Sequence, residues 1–120
     1  MNMLRVCAAV LLAAVAAHAA FADEASLLPD RRKPPCVIYV PGMDQTKEIY
    51  PDPFNNHFLH RGMHVLSIDG PGQGVSNIRK IRVTLDNCEK AGKAFIDSLV
   101  KRPEVDADKI GLFGISMGSY

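Results

Sequence analysis

Lys109-Ile-Gly-Leu-Phe-Gly-Ile-Ser-Met-Gly-Ser-Tyr120 is the stretch that decides how this chain is read. At its centre stands Gly114-Ile-Ser-Met-Gly118, a G-x-S-x-G. Ile110, Leu112 and Phe113 in front of it read as a short buried strand. In that context the pattern has a physical cause. A serine must stand at the tip of a sharp strand-to-helix turn, with a strained backbone and an exposed Oγ. Glycines two residues to either side let the neighbouring elements approach without a Cβ in the way. The turn also places the Met117 N–H at the start of a following helix, where negative charge develops during acyl transfer. Gly/Ser-rich loops produce the same five letters by chance, and the apolar run before them separates the two cases.

Moving back along the chain, each upstream segment extends the same architecture. Cys36-Val-Ile-Tyr-Val40 is a continuous β-branched and aromatic run, the pattern of a strand covered on both faces. Pro41-Gly42-Met43-Asp44 breaks it sharply, at the carboxyl end where α/β sheets keep their chemistry. Asp52 as N-cap, Pro53 at the first position and an apolar stripe of Phe54, Phe58 and Leu59 predict a helix over 53–61, stopped by Gly62. Met63-His-Val-Leu-Ser-Ile68 predicts the second strand. It runs into Asp69-Gly-Pro-Gly-Gln-Gly-Val-Ser76, a tight glycine-rich turn. Its G-x-G-x-G is not the dinucleotide pattern G-x-G-x-x-G, and no helix is read to open at Gly74, so no cofactor is expected. Asp69 reads as tying its own glycine loop together. Thr84 is expected to cap a longer helix. Its apolar positions Leu85, Cys88, Gly92, Phe95, Ile96 and Leu99 recur at the helical period, and Pro103 ends it. Strand, helix, strand, helix, strand and elbow in sequence predict an α/β fold: a parallel three-layer α/β/α sheet with right-handed crossovers.

Composition narrows the function classes. The chain has 120 residues, enough for one domain, with 48% hydrophobic residues and a net charge of +1. Arg31-Arg32-Lys33 is its only stretch of three consecutive basic residues, too short for a nucleic-acid footprint. His57, His60 and His64 lie close in sequence but not with metal-ligand spacing, and Asp106 and Asp108 read as turn caps, so no metal is expected. Cys36 and Cys88 read as small core residues rather than a disulfide.

The first 22 residues read as a secretory signal: Arg5, an apolar run over Val6 to Ala17, and A-x-A spacings at Ala17-His18-Ala19 and Ala20-Phe21-Ala22. The run is short for a bilayer span and is interrupted by His18, so no stable membrane anchor is expected after cleavage. Residues 23–35 form a leader, and 36–120 the domain.

Taken together, three segments resemble the α/β-hydrolase superfamily: the elbow Gly114–Gly118 after its strand, Val37-Ile-Tyr-Val-Pro-Gly-Met-Asp44, and Val65-Leu-Ser-Ile-Asp-Gly-Pro-Gly-Gln-Gly74. The pairing of Pro-Gly-Met-Asp with Asp-Gly-Pro-Gly-Gln-Gly is similar to the branch holding the FrsA-like esterases and the dihydropseudooxynicotine hydrolases. Val105-Asp-Ala-Asp-Lys-Ile110 looks like prolyl-oligopeptidase and dienelactone-hydrolase relatives. The resemblance implies Ser116 as nucleophile, the backbone N–H groups of Met117 and Met43 as oxyanion donors, and Gly42, Gly114 and Gly118 as the glycines of the loop and elbow. It implies hydrolysis of an ester or related acyl bond in a small-molecule substrate. The family's triad runs Ser, then Asp or Glu, then His. The upstream histidines do not fill the last role, so the chain is expected to be the N-terminal part of a longer hydrolase, inactive alone. The family also places a β-hairpin before the oxyanion strand, for which residues 23–35 are too short. The alternative is a non-catalytic hydrolase-like remnant or binding protein. Substrate identity and oligomeric state are not legible.

Overall fold

The computed structural model describes Ala17–Ala20 and residues 33–119. The remainder of the expected signal and leader lies outside the described residues. Among the described residues four strands form one sheet: β1 (Ala17–Ala20), β2 (Cys36–Val40), β3 (His64–Ile68) and β4 (Ile110–Gly114), in the order β1-β3-β2-β4. β2 pairs in parallel with β3, Cys36 opposite His64, and with β4, Cys36 opposite Ile110 and Val40 opposite Gly114. The run Cys36–Val40 is central, which is why it carries apolar residues at every position.

Period-two alternation sorts the side chains into two faces. Cys36, Ile38, Leu66 and Ile68 pack with Ala91, Phe95 and Leu99 of a 13-residue helix, and with Val105. That helix spans Asn87–Leu99 and is named α2; a shorter α1 spans Gly74–Ile78. On the opposite face Tyr39 stacks on Phe113 with ring centroids 5.7 Å apart, and Phe58 meets both rings edge-on.

Several expectations need correction. No α-helix covers 53–61; a single 3-10 turn, Leu59–Arg61, is all that forms. Side chains take the backbone donors a helix would need. Asp52 Oδ1 accepts the Phe54 and Asn55 N–H groups, and Asn56 Oδ1 accepts those of Phe58 and Leu59. Two consecutive Asx turns thus outcompete the helical ladder. Conversely, a helix does open at Gly74, namely α1. The longer helix starts at Asn87 rather than after Thr84, because Asn87 Oδ1 accepts the Thr84 N–H and its Nδ2 donates to the Arg82 carbonyl. Leu85 therefore lies before the helix and is fully exposed. Cys88 is also exposed, and Ile96 is 45% exposed. They border an open apolar groove of about 540 Å³ between α2 and β4 rather than a closed core. β4 is likewise not buried: it is the edge strand, with Leu112 74% exposed. A strand does precede β2: Ala17–Ala20 runs antiparallel to β3, with Ala17 opposite Ile68, inside the segment expected to be a signal.

Candidate active site

β2, β3 and β4 end together at one edge of the sheet, and the loops that leave them meet there. The chain turns immediately after Gly114, where Ile115 N–H donates to the Val40 carbonyl at 3.1 Å. Ser116 then takes a left-handed backbone, φ 53°. Such a conformation costs a non-glycine residue about 1–3 kcal/mol and persists only where the surroundings impose it. The imposition is visible at the two flanking glycines. A Cβ on Gly114 would lie 2.2 Å from the Gly118 carbonyl oxygen, and one on Gly118 would lie 2.3 Å from that of Val40. The turn is therefore wedged against the end of β2, and only hydrogen fits at either position. Ser116–Ser119 continue as a 3-10 turn up to the last described residue.

Ser116 is exposed. Gly42 lies against it, since a Cβ there would sit 3.4 Å from the Ser116 Cβ and 3.4 Å from the Ile115 carbonyl oxygen. The Pro41-Gly42-Met43 loop and the elbow are thus neighbours. The Met117 side chain lines the apolar groove, whereas that of Met43 is 69% exposed and lines neither the groove nor the second cavity described below.

Beneath both loops lies a buried polar network. Asp69, with no exposed surface, accepts the Lys47 N–H on Oδ1 and the Val75 N–H on Oδ2, 3.0 Å each. Lys47 Nζ approaches its Oδ2 at 3.4 Å and also meets Glu48. Ser76 Oγ donates to the Asp69 carbonyl. This carboxylate does tie the glycine loop together, and it also anchors the 44–48 segment. Gln73, buried in the same loop, donates from Nε2 to the carbonyls of Pro41 and Gly42. Neither Lys47 nor Gln73 stands out in the sequence. A glutamine between two glycines reads as a solvated turn residue; in the structure Gly72 and Gly74 both take positive φ on either side of it.

The histidines lie elsewhere. His64 is buried at the opposite end of β3, opposite Cys36, with its Nε2 3.1 Å from the Glu104 carbonyl oxygen. Four residues at roughly 3.3 Å each place it about 13 Å from the level of Gly114. His57 and His60 are exposed and line a cavity on the aromatic face with Tyr39, Phe58 and Phe113. Among the described residues, no histidine hydrogen-bonds Ser116, and no group of three His, Cys, Asp or Glu side chains could hold a metal ion.

A parallel sheet with an antiparallel flank, a connecting helix on one face and a strained serine turn at its carboxyl edge define an incomplete α/β-hydrolase fold. Relatives agree: the chain is related, over the part it spans, to the α/β hydrolases. It is 36% identical over 86 residues to 2,6-dihydropseudooxynicotine hydrolase of Paenarthrobacter nicotinovorans, covering 70% of this chain. It is 33% identical over 93 residues to hydrolase LUC6 of a Fusarium species, covering 73% of this chain. The crystal structure of 2,6-dihydroxy-pseudo-oxynicotine hydrolase superposes with a TM-score of 0.69 at 30% identity, over 87% of this chain and 27% of that one. The chain spans 22% of the length of each curated relative. No family model matches it.

Proposed function

We propose that this chain carries the nucleophile and the oxyanion side of a serine hydrolase acting on ester or related acyl bonds of a small molecule. The observation that supports it best is the left-handed Ser116, wedged between Gly114 and Gly118 and abutting Gly42. A hydroxyl held at an exposed apex can reach an acyl carbon that a flat loop would deny it. The Ser116 Oγ attacks that carbon, its proton passes to an imidazole, and the carbonyl oxygen gathers negative charge. The N–H groups of Met117 and Met43 receive that charge as hydrogen-bond donors. The imidazole and its carboxylate partner are proposed to come from beyond Tyr120, in keeping with relatives several times longer than this chain. Without that base the serine is a weak nucleophile.

The test is covalent labelling of the gene's full-length product by a fluorophosphonate. Labelling at Ser116, lost in Ser116→Ala, is the expected result. A product that ignores the probe, or labels equally well without the serine, sinks the assignment in favour of a non-catalytic relative. Export is proposed as well, from the apolar N-terminal run and its A-x-A sites. N-terminal sequencing of the exported product should begin at Asp23, and an uncleaved Met1 in that fraction would refute it.

A further inference from the structure

No hydrogen bond joins Gln73 to Ser116, yet its amide makes three hydrogen bonds to backbone at the carboxyl edge of the sheet. Nε2 donates to Pro41 O at 2.8 Å and to Gly42 O at 3.0 Å, and Oε1 accepts the Gly70 N–H at 3.2 Å. Gln45 works from the other side: its Oε1 accepts the Gly42 N–H and its own N–H donates to Gly42 O. Both lone pairs of the Gly42 carbonyl are therefore occupied from within the protein.

That carbonyl shares a peptide plane with the Met43 N–H. In a planar trans peptide the C=O and N–H bonds point in opposite directions. Holding Gly42 O towards the buried Gln73 amide therefore turns the Met43 N–H away from it, out of the buried network. We infer that Gln73 is a positioning residue that aims the Met43 N–H as an oxyanion donor. It does so by clamping two consecutive carbonyls from a different strand's loop. This role rests on the serine-hydrolase reading given above. It makes the Gly70–Gln73 turn, which carries no reacting group, part of what sets the rate.

The experiment uses the full-length product with p-nitrophenyl acetate as substrate and a fluorophosphonate to titrate Ser116, so that kcat is expressed per labelled site and misfolded protein drops out. Gln73→Glu keeps an acceptor for Gly70 N–H but sets a carboxylate against two carbonyls; Gln73→Met keeps the bulk and removes all three bonds. Loss of one oxyanion donor costs about 100- to 1000-fold in kcat, so a misaimed one is expected to cost on the order of 10- to 100-fold, with KM little changed. Phe95→Ala, on the buried face of α2, is the control for destabilisation alone and keeps its kcat per labelled site. Gln73 variants that match this control, or that raise KM while kcat holds, overturn the inference with the hydrolase assignment intact. A parent enzyme that is never labelled overturns both.

Discussion

At the level of single residues, the elbow is held by what is missing from glycine and by what serine tolerates. Gly114→Ala and Gly118→Ala would drive a methyl to within 2.2–2.3 Å of a carbonyl oxygen. Each is expected to cost about 1–3 kcal/mol, read from the denaturant midpoint, and to abolish labelling of Ser116. The strain at Ser116 has its own signature. At an ordinary position glycine is less stable than alanine by about 0.5–1 kcal/mol. At a left-handed position that order is offset by the Cβ penalty, so Ser116→Gly is expected to melt no lower than Ser116→Ala. Asp69→Ala would orphan the backbone N–H groups of Lys47 and Val75, at an expected cost of about 1–3 kcal/mol for each, and would leave the nearly buried Lys47 ammonium paired with Glu48. Ser116, its flanking glycines and the loop-tying role of Asp69 were legible because backbone geometry restricts which residue can stand there. Lys47 and Gln73 were not, since burial of a polar side chain depends on partners more than twenty residues away in sequence.

Among the elements, strands were easier to read than helices. Cys36–Val40 and His64–Ile68 are apolar runs whose burial and β-branching agree, so local preference and tertiary position coincide. Over 53–61 they conflict: an apolar stripe at helical spacing is present, but Asp52 and Asn56 spend their oxygens on nearby N–H groups. The stripe on α2 was over-read at Leu85, Cys88 and Ile96, because periodicity gives a face without saying what covers it. Cys36 and Cys88 now make opposite predictions. Burial pushes the Cys36 thiol up to about 11, with Arg102 and a Leu66 backbone hydrogen bond pulling back only in part. In the native protein a thiol reagent should therefore modify Cys88 quickly and Cys36 only on unfolding. The pH dependence follows in sign. An unfolded thiol ionises near 9.0, so the folded state loses stability as pH climbs from 9 towards 11, and Cys36→Val should flatten that slope.

For the molecule as a whole, the parallel pairing of the three apolar strands was legible; the added strand β1 and the covering of the sheet were not. β2 lies between β3 and β4, which leaves β4 at an edge. Leu112 and Phe113 are exposed there, with no charge between Ile110 and Gly114 to deter a neighbouring chain. The 120-residue polypeptide expressed alone is expected to self-associate at micromolar concentration. Leu112→Lys should shift it towards monomer in sedimentation velocity; a monodisperse, cooperatively unfolding parent would contradict this. The other edge has a different consequence. Under the export proposed above, β1 is drawn from residues that a leader peptidase would remove, and export and folding would compete for the same four alanine-rich positions. A precursor that folded first would hold the approach to the proposed cleavage site in a backbone ladder. One that is trimmed first begins life with the far flank of β3 bare, able to accept a guest strand that the precursor would refuse.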